Sequence, residues 1–481
     1  MRASMVWRLG SRGAVAIVAA GLLGLGSVAS AQQPPWDERT ITSHVALDAA
    51  AAEGEPAIPG LVARGRQLFT AKFTDADGRG RPKATQAIVP TLRKRGETPN
   101  FQRTGGPDSS ACSSCHSEPF VGGAGDFVTN VFASEGFESA DFDSLDPSFS
   151  SERNTKPIFG DGLVELLARE MTQELQGLRQ RGVRDAAASG KDVDVRLETK
   201  GVYYGWLTVK ANGIVDFSRL EGLDNDLVVR PFSQKGVFTS LRQFTVNAMN
   251  QHFGMEASER FGVRWTGSHN FGGSAVPDAL SSGDISSVVA FQATLPPPIR
   301  KTYDKPEWQA VADAGEKAFD ALGCASCHKS SLPLKSLVFT DPGPLDAAGT
   351  LRASEVAKPI AIDLAKQPWA STLKKNDKGE WLVPLYGDLK RHVIVDEGNP
   401  ELGNELMAQR FVERDVFRTA PLWGVGSYGS HGHRGDFTTL DGIIRAHGGE
   451  AREAGHAYAN ADEAIRNSII AFLKSLVIVD K

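Results

Sequence analysis

The chain has 481 residues, 41% of them hydrophobic and 23% charged, with 50 glycines and 25 prolines. That length exceeds one small domain and suits two, and the composition is that of an ordinary globular protein rich in loops. Acidic residues outnumber basic ones, 58 to 53, which argues against nucleic acid as a partner.

In chain order, the N-terminus comes first. "MRASMVWRLGSRG" carries Arg2, Arg8 and Arg12, and "AVAIVAAGLLGLG" follows as an apolar run of 13 residues. "SVASAQQ" then offers Ala29-Ser30-Ala31 as a cleavage site. This reads as an export signal over residues 1–31, because the run is shorter than the roughly 20 residues of a spanning helix. An uncleaved anchor is the alternative. No later segment is long and apolar enough to span a bilayer, so a periplasmic or secreted protein with no span after cleavage is expected.

"IPGLVARGRQLFTAKF" reads as a helix leading to "CSSCH" at Cys112, Cys115 and His116. Between them, "GRGRPKATQAIVPTLRKRGE" is a charged insertion, either a solvated loop or a docking patch. "VDVRLETK" alternates with period two, and "GWLTVKANGIVDF" places Asn212-Gly213 between extended runs, so a small β-hairpin insertion is expected there. "TSLRQFTVNAMNQHFGM" looks helical, with Leu241, Phe244 and Ala248 on one face. "DISSVVAFQATLPPP" is a helix stopped by Pro296 to Pro298, which sets a domain boundary near Ile299 to Lys305.

The second half repeats the plan. "WQAVADAGEKAFDALG" reads as a helix entering "CASCH" at Cys324, Cys327 and His328. In "TTLDGIIRAH", Thr438 or Thr439 can cap a short helix whose stripe is Leu440, Ile443 and Ile444. Gly448-Gly449 can end it, which makes His447 its last residue. "AIRNSIIAFLKSL" closes the half as "SSVVAFQATL" closes the first: each has β-branched residues before an Ala-Phe pair and a leucine four residues after Phe291 or Phe472.

All four cysteines fall in two Cys-x-x-Cys-His words 212 residues apart. This word attaches c-type haem. Cysteines at i and i+3 on one helical turn can each form a thioether, and the next residue offers an imidazole to the iron. A thioredoxin-like dithiol would not need the adjacent His, and a zinc site would more often join two Cys pairs. Disulfides or zinc remain the rival readings. The expected fold is mainly α: two cytochrome c-like haem domains with long loops, at 32–299 and 306–481. Without Arg2, Arg8 and Arg12 the mature chain has 50 basic and 58 acidic residues, a net charge of −8. Such a surface can steer a basic electron-transfer partner, although solubility alone also accounts for it.

A haem iron closed by a second protein ligand transfers electrons, while an open one can bind oxygen or peroxide. The other histidines are His44, His252, His269, His392, His431, His433, His447 and His456. Between His116 and Arg153 there is none. The first haem is therefore expected to be open, or closed from afar by His252 or His269. The mature chain holds only Met171, Met249, Met255 and Met407 as thioether donors.

The phrases "CHSEPFVGGAG", "KPIFGDGLVELL", "LYGDLKRHVIVDEGNPELG", "FRTAPLWGVGSYG" and "RAHGGEA" resemble the bacterial diheme cytochrome c peroxidase superfamily, in particular its diheme oxidoreductase (thiol oxidoreductase) branch. The resemblance runs from about Gly65 to Leu476 and is loose between 170 and 230. It implies that His447, fourteen residues after the "HRG" of His433, closes the second haem opposite His328. A plain helix-end histidine is the alternative. It also implies that the helix from Ser240 to Met255 passes over the first haem, bringing Gln243 and Phe244 near the iron. Glu165 is then a candidate acid–base carboxylate for peroxide cleavage. Surface charge for Glu165 and core packing for Phe244 are the rival readings. Trp423 packs in the core or lies on an electron path. His433 and Arg418 suit haem propionates. His392 matches a family motif without an evident chemical role. A calcium between domains is implied by the resemblance alone; no self-contained calcium loop is present. The implied activity is a peroxidase-like oxidoreductase using hydrogen peroxide or oxygen and a small redox protein. An oxygenase or protein-modifying oxidant and a diheme electron carrier are the alternatives.

Overall fold

The computed structural model describes residues 34–84, 101–102, 108–126, 128–134, 150–396 and 409–479, with isolated positions between them. The export signal lies outside these residues, as does much of the charged insertion. Met1–Glu38 and Arg39–Lys481 cluster separately; the following concerns the latter.

Twelve helices are described: α1 Leu47–Glu53, α2 Ile58–Thr70, α3 Cys112–Cys115, α4 Asp161–Ser189, α5 Leu241–Phe253, α6 Ser258–Phe261, α7 Val263–Thr266, α8 Ser282–Thr294, α9 Pro306–Ala321, α10 Leu440–Arg445, α11 Arg452–Asn460 and α12 Glu463–Ser475. Small antiparallel sheets decorate them. The largest in the alternating region joins Val193–Thr199, Val202–Val209 and Val215–Asp216. The hairpin expected there is thus a three-stranded sheet, packed on α4.

Local chemistry sets the helix ends. Ser240 Oγ accepts from Gln243 N at the start of α5, and Ser281 with Asp284 makes a reciprocal cap on α8. Pro306 opens α9, where its missing N–H costs nothing. Thr439 caps α10 through Gly442 N at 3.0 Å. That helix stops at Arg445, so His447 lies just beyond its end instead of being its last residue.

Two helix crossings frame the molecule. α2 packs on α8, and α9 packs on α12. Each crossing needs a glycine. A Cβ on Gly65 would lie 1.9 Å from Ser287 O, and one on Gly315 would lie 1.9 Å from Ser468 O. The backbones approach so closely that any side chain there would have to displace a helix.

Two apolar clusters result. One, around the α9–α12 crossing, contains Phe319, Tyr386, Val425, Leu440, Tyr458, Ile469 and Phe472. The other contains the α2, α4, α5 and α8 faces, and also takes in Leu332, Leu334, Phe339, Ile362, Leu364, Trp369 and Val383. Trp369 Nε1 donates to Thr294 O at 3.1 Å, at the end of α8. The segment after the second Cys word therefore packs on the first half. The proline-bounded linker is also tied down: Ile299–Arg300 pairs with Leu476–Val477, and Tyr303 donates to Ala471 O at 2.7 Å.

Candidate functional site

Both Cys-x-x-Cys-His words open on one continuous cavity of about 860 Å3. Its wall includes Cys112, Cys115, His116, Cys324, Cys327, His328 and His447.

The first word forms the single turn α3, ending at His116. His116 Nδ1 donates to Gly123 O at 3.2 Å, which leaves Nε2 as the nitrogen with a lone pair. The ring centroid lies 6.0 Å from that of Phe69, which meets Phe291 at 5.3 Å. The second word repeats this. His328 Nδ1 donates to Tyr386 O at 3.1 Å, its ring lies 6.2 Å from Phe319, and Phe319 meets Phe472 at 5.5 Å. Burial pushes both imidazoles down to about 4, so each is neutral at pH 7 and able to bind a metal.

The cysteines are free thiols, with no disulfide among them. Burial pushes Cys112 up to about 12 and Cys324 up to about 11. Such thiols carry little thiolate, which disfavours redox-dithiol chemistry. Among the described residues, the only group of three His, Cys, Asp or Glu side chains close enough to share a metal ion is Cys327, Asp388 and His392. The two Cys pairs thus form no joint zinc site, and no carboxylate cage for the implied calcium is found among those residues. Neutral histidines with one nitrogen committed, paired thiols beside them and a large apolar cavity fit a covalently held haem at each word.

His447 lines the same cavity as the second word. Its Nδ1 donates to Ile443 O at 2.8 Å, and burial lowers its pKa. After burial, His447 is the strongest influence depressing His328. The two imidazoles are therefore neighbours in the cavity wall.

Near His116 the imidazole in the wall is His252, which also lowers the pKa of His116. Its Nδ1 lies 3.0 Å from each oxygen of Asp108. His269 is exposed and is not part of the wall. Phe244 is in the wall, with Phe238, Leu241, Val288 and Met249. Glu165 and Gln243 are not. Glu165 is buried, pairs with Arg169 at 2.6 Å and accepts from Leu241 N at 2.8 Å, at the start of α5. Gln243 Oε1 accepts from Thr239 N at 3.0 Å. Both serve the helix end, as an anion and an amide oxygen there should.

On α4 the carboxyl that reaches the wall is Asp161, one helical turn before Glu165. Burial pushes it up to about 7, against the opposing influence of Arg418. Sequence reading passed over it because "GDGLVELL" offers both acids, and only the setting of α4 shows which faces inward. Arg418 also lines the cavity, donating to Ser233 O at 3.2 Å and Thr419 O at 3.0 Å. His433 lies in the wall, stacked on Phe417 at 4.5 Å, with Nε2 3.4 Å from Glu405. Lys156, pushed down to about 8 by burial, adds a second cation. Trp423 is buried in the wall, and its ring fills the space a side chain at Gly160 would occupy, 2.5 Å from the ideal Cβ.

His392 proves to be half of a charge network. Its Nδ1 lies 2.7 Å from Glu450 and its Nε2 2.9 Å from Asp388. Burial alone would lower its pKa, but the hydrogen bonds to Asp388, Cys327 and Glu450 outweigh this and push it up to about 11.

No family model and no curated protein matches the chain. Among solved structures, hydrazine synthase from Kuenenia stuttgartiensis aligns with 97% of this chain and 100% of its own, at 12% identity and a TM-score of 0.36. A MauG-like protein associated with microbial copper homeostasis aligns with 56% of this chain and 78% of its own, at 12% identity and a TM-score of 0.27. Likenesses this weak carry no argument about activity, and the functional reading rests on the geometry of the site.

Proposed function

We propose that the chain is an exported diheme c-type oxidoreductase of peroxidase type, built from cytochrome c-like units at 32–299 and 306–481. One observation carries this reading. Two equivalent Cys-x-x-Cys-His sites share a cavity, and the further imidazole beside each is held differently: His447 by a backbone carbonyl, His252 by the carboxylate of Asp108. When bound, a haem at His328 and His447 would hold and relay electrons, while a haem at His116 would activate hydrogen peroxide.

The chain's own residues supply the rest. His116 and His328 present Nε2 because backbone carbonyls take their Nδ1 protons. Asp161, not Glu165, is the carboxyl placed to hold or release a proton at its Oδ atoms inside the cavity. Arg418 and Lys156 offer positive charge for propionates. Trp423 lies in the wall common to both sites, where an aromatic group can serve a path between them. A small redox protein delivers the electrons.

Two further readings each have an observation in their favour. The aromatic wall of Phe232, Phe238 and Phe244 suits an oxygenase acting on an apolar substrate. Met249, buried in the wall, could supply a thioether to the first iron, which would make the protein a carrier. Spectroscopy of the purified protein, ferric and reduced, separates them. One high-spin haem that reacts with peroxide supports the proposal. Two low-spin haems that ignore peroxide, cyanide and carbon monoxide in both states would sink it.

A further inference from the structure

One continuous strap, residues 385–396, touches both sides of the second site. At its start, Tyr386 O accepts the Nδ1 proton of His328, and Gly387 N donates to Lys329 O at 3.0 Å. Tyr386 and Leu389 adopt positive φ, 51° and 60°, a conformation such residues keep only where the surroundings enforce it. Part of that enforcement is the Tyr386 hydroxyl, which donates to Glu316 on α9 at 3.0 Å.

At its other end the strap holds the loop that follows His447. Ile394 O accepts from Gly448 N at 3.0 Å, and Asp396 accepts from Gly449 N and Arg452 Nε, both at 2.9 Å. A Cβ on Gly449 would lie 2.2 Å from Val393 O, so loop and strap are in direct backbone contact.

His392 sits midway, 7% exposed. Each of its ring nitrogens lies within hydrogen-bond distance of a different carboxylate, Asp388 on the strap and Glu450 on the loop. Carboxylates only accept, so both nitrogens carry protons and the ring is a cation held between two anions. Glu450 is fixed at its second oxygen too, by Val393 N at 2.9 Å. With both nitrogens engaged in this way, the ring has no lone pair left for a metal at Cys327 and Asp388.

We propose that His392 is a positioning residue: it ties the strap beneath His328 to the loop after His447 and thereby keeps His447 on the second iron. This rests on the reading that His328 and His447 are the ligands of that iron. Removing the tie should let the loop swing away and open the iron, without touching either ligand.

The test uses the full, haem-loaded protein. His447→Gly provides the reference spectrum of an opened second haem. His392→Gln and Glu450→Gln are expected to show a share of that high-spin form in the ferric state. Carbon monoxide should reach the reduced second haem about tenfold faster, the effect of losing one charge-assisted hydrogen bond. The double variant should open the haem no further than His392→Gln, since both remove one link. His392→Lys, which keeps a cation with several donors, should restore the low-spin form. Glu450 is half-exposed, so its variant should fold even if His392→Gln does not. Lowered thermal stability with an unchanged spin state in Glu450→Gln and His392→Gln would overturn the proposal while leaving the ligation intact. A His447→Gly protein that keeps its low-spin second haem would overturn the ligation itself, and the proposal with it.

Discussion

The first and second Cys-word sites are near copies in their inner parts and differ in their surroundings. Phe–His ring separations are 6.0 and 6.2 Å, Phe–Phe separations 5.3 and 5.5 Å, and both helix crossings place a glycine against a serine carbonyl. The carbonyl that orients each histidine comes from different distances, however. For His116 it is Gly123, seven residues on; for His328 it is Tyr386, 58 residues on. The first site is closed by its own loop. The second is closed by a strap that also governs the loop of His447. A shared scaffold thus lets one histidine be oriented from its own loop and the other from a distant strap.

The comparison can be broken most severely by removing an attachment. On the proposed diheme reading, replacing Cys324 and Cys327 by Ala should lower the covalent haem content from two per chain to one, read by haem staining and the pyridine haemochrome assay. The same change at Cys112 and Cys115 should leave the other. Next, His447→Gly should convert the second haem to a form that binds cyanide, whereas His252→Gly should leave the first haem's spectrum unchanged. A large change in the latter would make the two sites alike after all. The helix crossings offer a sharper test of equivalence. Gly65→Ala and Gly315→Ala should each cost about 1–3 kcal/mol of stability by overpacking, measured by denaturant unfolding, and should lower the haem yield of their own site first.

The smallest effect concerns Asp161. Its folded pKa is raised, so between the unfolded value near 3.8 and about 7 the native state binds the extra proton, and its contribution to stability falls as pH rises through that window. Asp161→Asn should therefore stabilise the protein by an amount that grows from pH 4 to pH 7 and then levels off. A gain that does not vary with pH would show that Asp161 is not the buried, raised carboxyl of the cavity.

Much of the fold was legible. The helix pairs around each Cys word, the proline stop after α8 and the Thr439 cap of α10 follow from periodicity, breakers and caps, which are local. The hairpin at Asn212-Gly213 was also readable, and the alternating run at Val193–Thr199 proves to be its third strand. Within the site, the Cys words and the absence of a histidine soon after His116 were visible. Glu165 and Gln243 misled, because residues one turn apart on a helix differ in orientation by an angle that only packing decides. His392 was conspicuous and unexplained, since its partners Asp388 and Glu450 lie four and 58 residues away.

By itself, the sequence placed two thiols and an imidazole within five residues, twice, a spacing that needs no tertiary information. It also determined that the two halves would share a helical plan. Only the tertiary structure decided that both words face a single cavity, that residues 332–383 of the second half pack into the core of the first, and which acid of α4 reaches the wall. The physical reason is range. Covalent spacing and helix capping act over a few residues, whereas the carbonyls and carboxylates that orient a site's histidines are brought together by burial of apolar surface across the whole chain.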